Sequence, residues 1–306
     1  MKKGLLLISQ ILMFICSYGQ TNLVDKYNEQ GIAKSKLQDY SGAIIDFDKA
    51  IAINPNQEAL YSNRGIAKKG LQDYNGAISD FNKAIELNPN NEAFYSNRGD
   101  AKHGLQDYSG AMSDYNKAIN LNPKSSAPYY NRGNLKWLLE DLGGAILDFS
   151  KVIEFNPKDA DAYRQRGTIK IQQQDYQGAI ADLNIAIEIN PKDAETYNNR
   201  GFSKNKLQDY RGAILDFSKA ILANPKYDEA YCNRGNSKSR LKDSEAAILD
   251  YNKAIEINPK YSLAYYKRGI EKLILNQKDS GCLDLSKAGE LGDADAYEVI
   301  KKLCNK

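Results

Sequence analysis

The dipeptide Asn-Pro stands at 54–55, 88–89, 122–123, 156–157, 190–191, 224–225 and 258–259, one copy every 34 residues without insertion or deletion. A period held this strictly restricts the chain to a stacked helical array. Each unit is a small supersecondary element that cannot bury its apolar face alone and must lean on its neighbours. Counted from the prolines, the units run 24–57, 58–91, 92–125, 126–159, 160–193, 194–227, 228–261 and a divergent 262–295.

In unit 58–91 the second half places Ala77, Ile78, Phe81, Ala84 and Ile85 at the spacing of one helix face. Asp73, with Asp39, Asp107, Asp141, Asp175, Asp209 and Asp243 in register, stands where that helix begins and can cap its free amides. Asn88 is expected to take the left-handed conformation that ends the helix, and Pro89 forbids its continuation. Two helices and a short turn per unit follow. Gly65 recurs in all eight units, as Gly31, Gly99, Gly133, Gly167, Gly201, Gly235 and Gly269. A mid-helix glycine costs about 1 kcal/mol against alanine. Its repetition therefore points to a close approach of the two helix backbones, with Phe81 filling the space beyond Ala77 and Ala84.

Tyr at position 4, Gly at 8, Ala at 20, Phe or Tyr at 24, Ala at 27 and Pro at 32 resemble the tetratricopeptide repeat, and the resemblance spans 24–295. It implies an all-α fold, a right-handed superhelical solenoid of about eight antiparallel helix pairs whose first helices line a concave groove. A capping helix is expected over 294–304. The resemblance also implies binding of a protein or peptide partner in that groove rather than catalysis, since the shared positions carry no chemistry of their own. The alternative is a spacer or assembly scaffold acting through its ends or convex face.

Position 7, usually leucine in the family, is arginine in seven units, and an aspartate follows sixteen residues later. The expected intra-repeat pairs are Arg64–Asp80, Arg98–Asp114, Arg132–Asp148, Arg166–Asp182, Arg200–Asp216, Arg234–Asp250 and Arg268–Asp284. The first unit keeps Asp46 but has Gln30 in place of the arginine. Lysine at position 11, from Lys34 to Lys272, is expected to be solvated or packed along its stem.

Position 6 carries Asn63, Asn97, Asn131, Asn199 and Asn233. The repeat domain of O-GlcNAc transferases is similar there, and its asparagine ladder holds a peptide backbone. Helices about 8–10 Å apart and an extended peptide rising about 3.3 Å per residue let one amide meet every third residue. Each amide offers a donor and an acceptor; the alternative is bonding within its own repeat or to water. Specificity is expected from positions that vary between units: Tyr130, Asn134 and Trp137 in the fourth, Arg164 in the fifth and Phe202 in the sixth. Aromatic residues beside arginine are the composition of a binding hot spot, although Trp137 could instead pack between helices.

The chain has 42 basic and 39 acidic residues, too even a balance for a nucleic-acid footprint. One histidine, His103, excludes a multi-histidine metal centre and offers no base to a nucleophile, so no cofactor is expected. Lys2-Lys3, the apolar run 5–15 and the small residues Ser17 and Gly19 read as a secretory signal peptide over 1–19, followed by a lead-in over 20–23. The protein is therefore expected outside the cytoplasm, periplasmic or secreted, with no membrane span after cleavage. Cys282 and Cys304 flank a turn near 293 and could meet as a disulfide if helix rotation aligns them; Cys232 is left as a lone thiol.

Overall fold

A computed structural model describes residues 21–304; the expected leader 1–19 lies outside them. The described residues are helical apart from short turns, and they form two compact units meeting at Phe155 and Asn156. The first unit contains α1 (residues 21–36), α2 (Tyr40–Ile53), α3 (Glu58–Gly70), α4 (Tyr74–Leu87), α5 (Glu92–Gly104), α6 (Tyr108–Leu121), α7 (Ser126–Leu138) and α8 (Leu142–Phe155). The second contains α9 (Ala160–Gln172), α10 (Tyr176–Ile189), α11 (Ala194–Lys206), α12 (Tyr210–Ala223), α13 (Asp228–Arg240) and α14 (Ser244–Ile257). It continues through α15 (Ser262–Ile274) and α16 (Lys278–Glu290) to α17 (Ala294–Val299). Odd- and even-numbered helices pair within each repeat, and inside each unit an even helix packs on the odd helix that follows it, as α4 does on α5 and α12 on α13. Within each unit successive odd helices also touch, as in α3 with α5 and α11 with α13, so the first helices form a face of their own.

The aspartates cap as their position requires. Asp73 accepts from the Gly76 amide at 2.9 Å, and Asp107, Asp141, Asp175 and Asp209 do the same for the residue three places on. The left-handed residue sits elsewhere than expected. It is not Asn88, whose φ is −143°, but the residue just before the N-cap of each second helix: Gln38, Gln72, Gln106, Glu140, Gln174, Gln208 and Lys242 before aspartates, and Asn276 before Gln277, with φ of 60° to 66°. Two causes act together. A following proline pushes its predecessor toward extended backbone. The tight turn between paired helices is the one that needs positive φ: the Asp73 amide donates to the Lys68 carbonyl at 2.9 Å, closing the first helix in a Schellman-type turn. Asn88 instead accepts from the Asn90 amide through its own side chain, the local bond that favours asparagine in turns.

The glycines meet rings rather than backbone. A Cβ on Gly65 would stand 2.9 Å from the Phe81 ring, and one on Gly201 2.8 Å from Phe217. In units five and eight Leu183 and Leu285 take the ring's place, and at Gly269 the Gly281 carbonyl is also close. The core is thus a repeated ring-on-glycine contact flanked by fully buried alanines such as Ala77 and Ala84. Two units carry tyrosine instead of phenylalanine. Tyr115 donates to Asp100 at 3.1 Å, whereas the Tyr251 hydroxyl is buried and makes no hydrogen bond. Tyr251→Phe is therefore expected to raise stability by about 1 kcal/mol and Tyr115→Phe to lower it by about 1 kcal/mol. Paired urea melts check the opposite signs; a loss at Tyr251 would mean that the hydroxyl has a partner.

At the C-terminal end α17 is short and runs into a wider π-helical turn over Ile300–Cys304. Ala296 is buried against Leu285 and Ala288, with Val299 and Ile300 beside them. A regular α-helix would carry Leu303 on that face with Ala296, Val299 and Ile300, but it is half exposed at 51%. The π turn adds about one residue per turn, rotating Leu303 outward and Cys304 inward. Cys304 is bonded to Cys282, with their Cα atoms 5.8 Å apart. Cys232 is free and buried; burial pushes its thiol up to about 11, so it stays protonated at neutral pH.

Candidate ligand-binding face

The arginines at position 7 are held inside the array. Arg132 donates to both oxygens of Asp148, through Nε at 2.9 Å and Nη2 at 2.6 Å, and to Asn116 of the preceding repeat at 2.5 Å. Its guanidinium lies 5.5 Å over the Tyr129 ring, and Tyr129 in turn donates to the Pro123 carbonyl. The same bidentate bond joins Arg64 to Asp80, Arg98 to Asp114, Arg166 to Asp182, Arg200 to Asp216, Arg234 to Asp250 and Arg268 to Asp284. Lysine at position 11 shares each aspartate: Lys136 reaches Asp148 at 2.9 Å and Lys68 reaches Asp80 at 2.8 Å. This third partner was not expected, because a spacing of twelve residues from lysine to aspartate carries no local signal. In the first repeat Lys34 and Lys49 serve Asp46 without an arginine. Burial alone would raise the Asp46 carboxyl, but hydrogen bonds from both lysines outweigh it and the net shift is downward.

Four asparagines at position 6 reach across to the preceding repeat, and Asn233 also donates to Glu229 of its own repeat at 3.4 Å. Asn63 donates to Asn28 at 2.9 Å, Asn131 to Asp100 at 2.7 Å, Asn199 to Thr168 at 3.1 Å and Asn233 to Asn198 at 3.1 Å. Asn97 differs, accepting from Lys69 at 3.4 Å. Four of these amides have thus committed an N–H to the preceding repeat and keep the carbonyl oxygen for a further bond.

The variable candidates part company. Arg164 is only 15% exposed and is gripped by Asp161, Asp193 and Glu195 at 3.0, 3.4 and 2.8 Å, so its charge is internally neutralised. Tyr130 packs edge-on against Phe149 at 5.5 Å, a core role for part of its ring. Trp137 and Asn134 are half-buried on α7, with Leu138 exposed beside them. His103 meets the Tyr108 ring at a tilt, with centroids 5.6 Å apart. Phe202 lines a cavity.

That cavity, about 340 Å³, opens between α11 and α13 over the start of α12, lined by Phe202, Lys206, Tyr210, Asn233, Asn236 and Arg240 among others. A second, about 330 Å³, opens between α1 and α3 at the same repeat positions, lined by Ile32, Lys36, Tyr40, Phe47, Asn63 and Ile66. Each lies on the first-helix face of its unit and each borders a position-6 asparagine. Nothing in the repeat pattern singles out Lys206, Asn236 or Arg240; the one signal is that positions 9 and 13 vary between units. Among the described residues no cluster of His, Cys, Asp and Glu could hold a metal ion, and no helix is long and apolar enough to cross a membrane.

Family models described as Tetratricopeptide repeat match residues 27–57, 127–159 and 194–227 in one case and 228–261 in another. A third, described as TPR repeat, matches 70–106, 99–140 and 167–206. No curated protein matches. Among solved structures, YrrB, titled a TPR protein with an unusual peptide-binding site, is 26% identical with a TM-score of 0.55. The alignment covers 60% of this chain and 95% of YrrB. A tetratricopeptide repeat protein from Parabacteroides merdae is 23% identical with a TM-score of 0.59, covering 80% of this chain and 96% of its own. A chain of the APC/C hetero-tetramer Cut9–Hcn1 is 15% identical with a TM-score of 0.61; 86% of this chain aligns with 52% of that one. The last two likenesses concern the fold alone.

Proposed function

Because the chain belongs to the tetratricopeptide repeat proteins, we propose that it is a non-catalytic scaffold binding a protein or peptide segment along its first-helix face. The observation that carries this is the recurrence of cavities at the same repeat positions in both units, each beside a position-6 asparagine. With an N–H of Asn63, Asn131, Asn199 and Asn233 holding each amide to the preceding repeat, their oxygens suit the backbone N–H groups of an extended segment. The unusual peptide-binding site of YrrB supports this reading. Asn134 and Trp137 on α7 and Phe202 on α11 supply surface for side chains, while Arg164 contributes order rather than charge. Export completes the proposal: the leader over 1–19 directs it, and a bonded Cys282–Cys304 pair belongs in an oxidising compartment.

The test is a crosslinking pulldown from the protein's native extract, comparing the unaltered chain with Asn63→Ala/Asn131→Ala/Trp137→Ala at matched melting behaviour. A partner lost only from the variant is the expected result. Identical partners in both would retire the first-helix face in favour of a scaffold acting through its ends. The intact mass of the bait from its own cells should begin at Gln20, and a mass beginning at Met1 would remove export from the proposal.

A further inference from the structure

We infer that the cavity between α11 and α13 is a receptor for an acidic side chain, aspartate or glutamate, of a segment lying across the second unit. This rests on the proposed first-helix face and adds the chemistry of what that face selects. The cavity holds two cations. Lys206 sits 5.2 Å over the Phe202 ring, and Arg240 enters from α13. Among the described residues neither makes an ion pair, and no carboxylate lines the cavity. Here two such cations share one cavity. Position-7 arginines have their aspartates, Arg164 has three carboxylates, and on the same face of the first unit Lys69 is neutralised by Asp100 at 2.8 Å. The counterpart of Asp100 here is Asn236, which brings an amide without a charge.

The walls sharpen the preference. Phe202, Phe217 and Tyr210 form a low-dielectric wall on one side of the cavity, which strengthens a charge pair formed against it. Two cations and a volume of about 340 Å³ suit one carboxylate side chain with its local backbone, and they are too few for a nucleic-acid track. The face continues past the cavity on both sides, through α9 and α15, so a segment can cross with its acidic residue internal rather than terminal.

Selection from a random-peptide display library on the full chain tests this. Selected peptides are expected to carry an internal Asp or Glu, and replacing it by Asn or Gln should weaken binding about tenfold, the effect of two partly exposed ion pairs. In Lys206→Gln/Arg240→Gln that difference should vanish while binding of the neutral peptide persists. Lys206→Glu/Arg240→Glu should invert the preference toward lysine-bearing peptides. Peptides selected without acidic bias, a bias that survives both variants, or binding abolished by C-terminal amidation would overturn the acidic pocket and leave the first-helix face standing. Failure to select any peptide would overturn both.

Discussion

Asp148→Ala is expected to lower unfolding stability by about 3 kcal/mol, the lower end of the range for breaking a buried ion pair. The carboxylate is 4% exposed and serves two cations at once, Arg132 and Lys136, which are 17% and 20% exposed. Removing it leaves both without their anion in a site that holds little water. Their partial exposure lets them turn toward solvent, which keeps the cost from reaching the upper end. Against a total stability of about 5–15 kcal/mol the loss is large. Arg132→Leu/Asp148→Leu should recover most of it, because apolar replacement removes the desolvation cost together with the attraction. Asn116, the other partner of Arg132, is exposed and regains water. Matched chemical melts of the two variants decide the matter. An unchanged midpoint for Asp148→Ala would show that the repeated pair is decoration.

The second large effect belongs to the C-terminal end. Cys282→Ser/Cys304→Ser, or reduction of the unaltered protein, should cost the cap about 3 kcal/mol, from freeing a loop with a sequence separation of 22. The loss should be local. Contacts in a repeat array run only between neighbours, so destabilisation at α16 and α17 reaches α2 to α8 weakly. Hydrogen exchange separates these: protection should fall over α17 and the end of α16 and hold in α4 and α6. Equal protection with and without reductant would show that Leu285, Ala288 and Ala296 close the array unaided.

The 34-residue period by itself determined the pairing of helices and the capping by Asp73 and its counterparts; it marked the glycines as a close contact but read them against backbone, where the packed helices set them against rings. Pairing and capping are local or nearest-neighbour consequences of residues repeated in register, so one unit read correctly gives the others. The Arg–Asp pairs were legible for the same reason. Tertiary structure decided what repetition leaves free. A lysine twelve residues before an aspartate joins it only once two helices pack, and an asparagine amide finds the preceding repeat only once the units stack. The left-handed turn residue escaped the sequence because glutamine, unlike glycine, does not advertise positive φ. Leu303 changed faces because one wide turn alters the helical period, and Arg164 left the binding set because three carboxylates converge on it in space. Lys206 and Arg240 share a cavity from 34 residues apart, a juxtaposition that depends on the stacking of α11 against α13 and is written in neither helix.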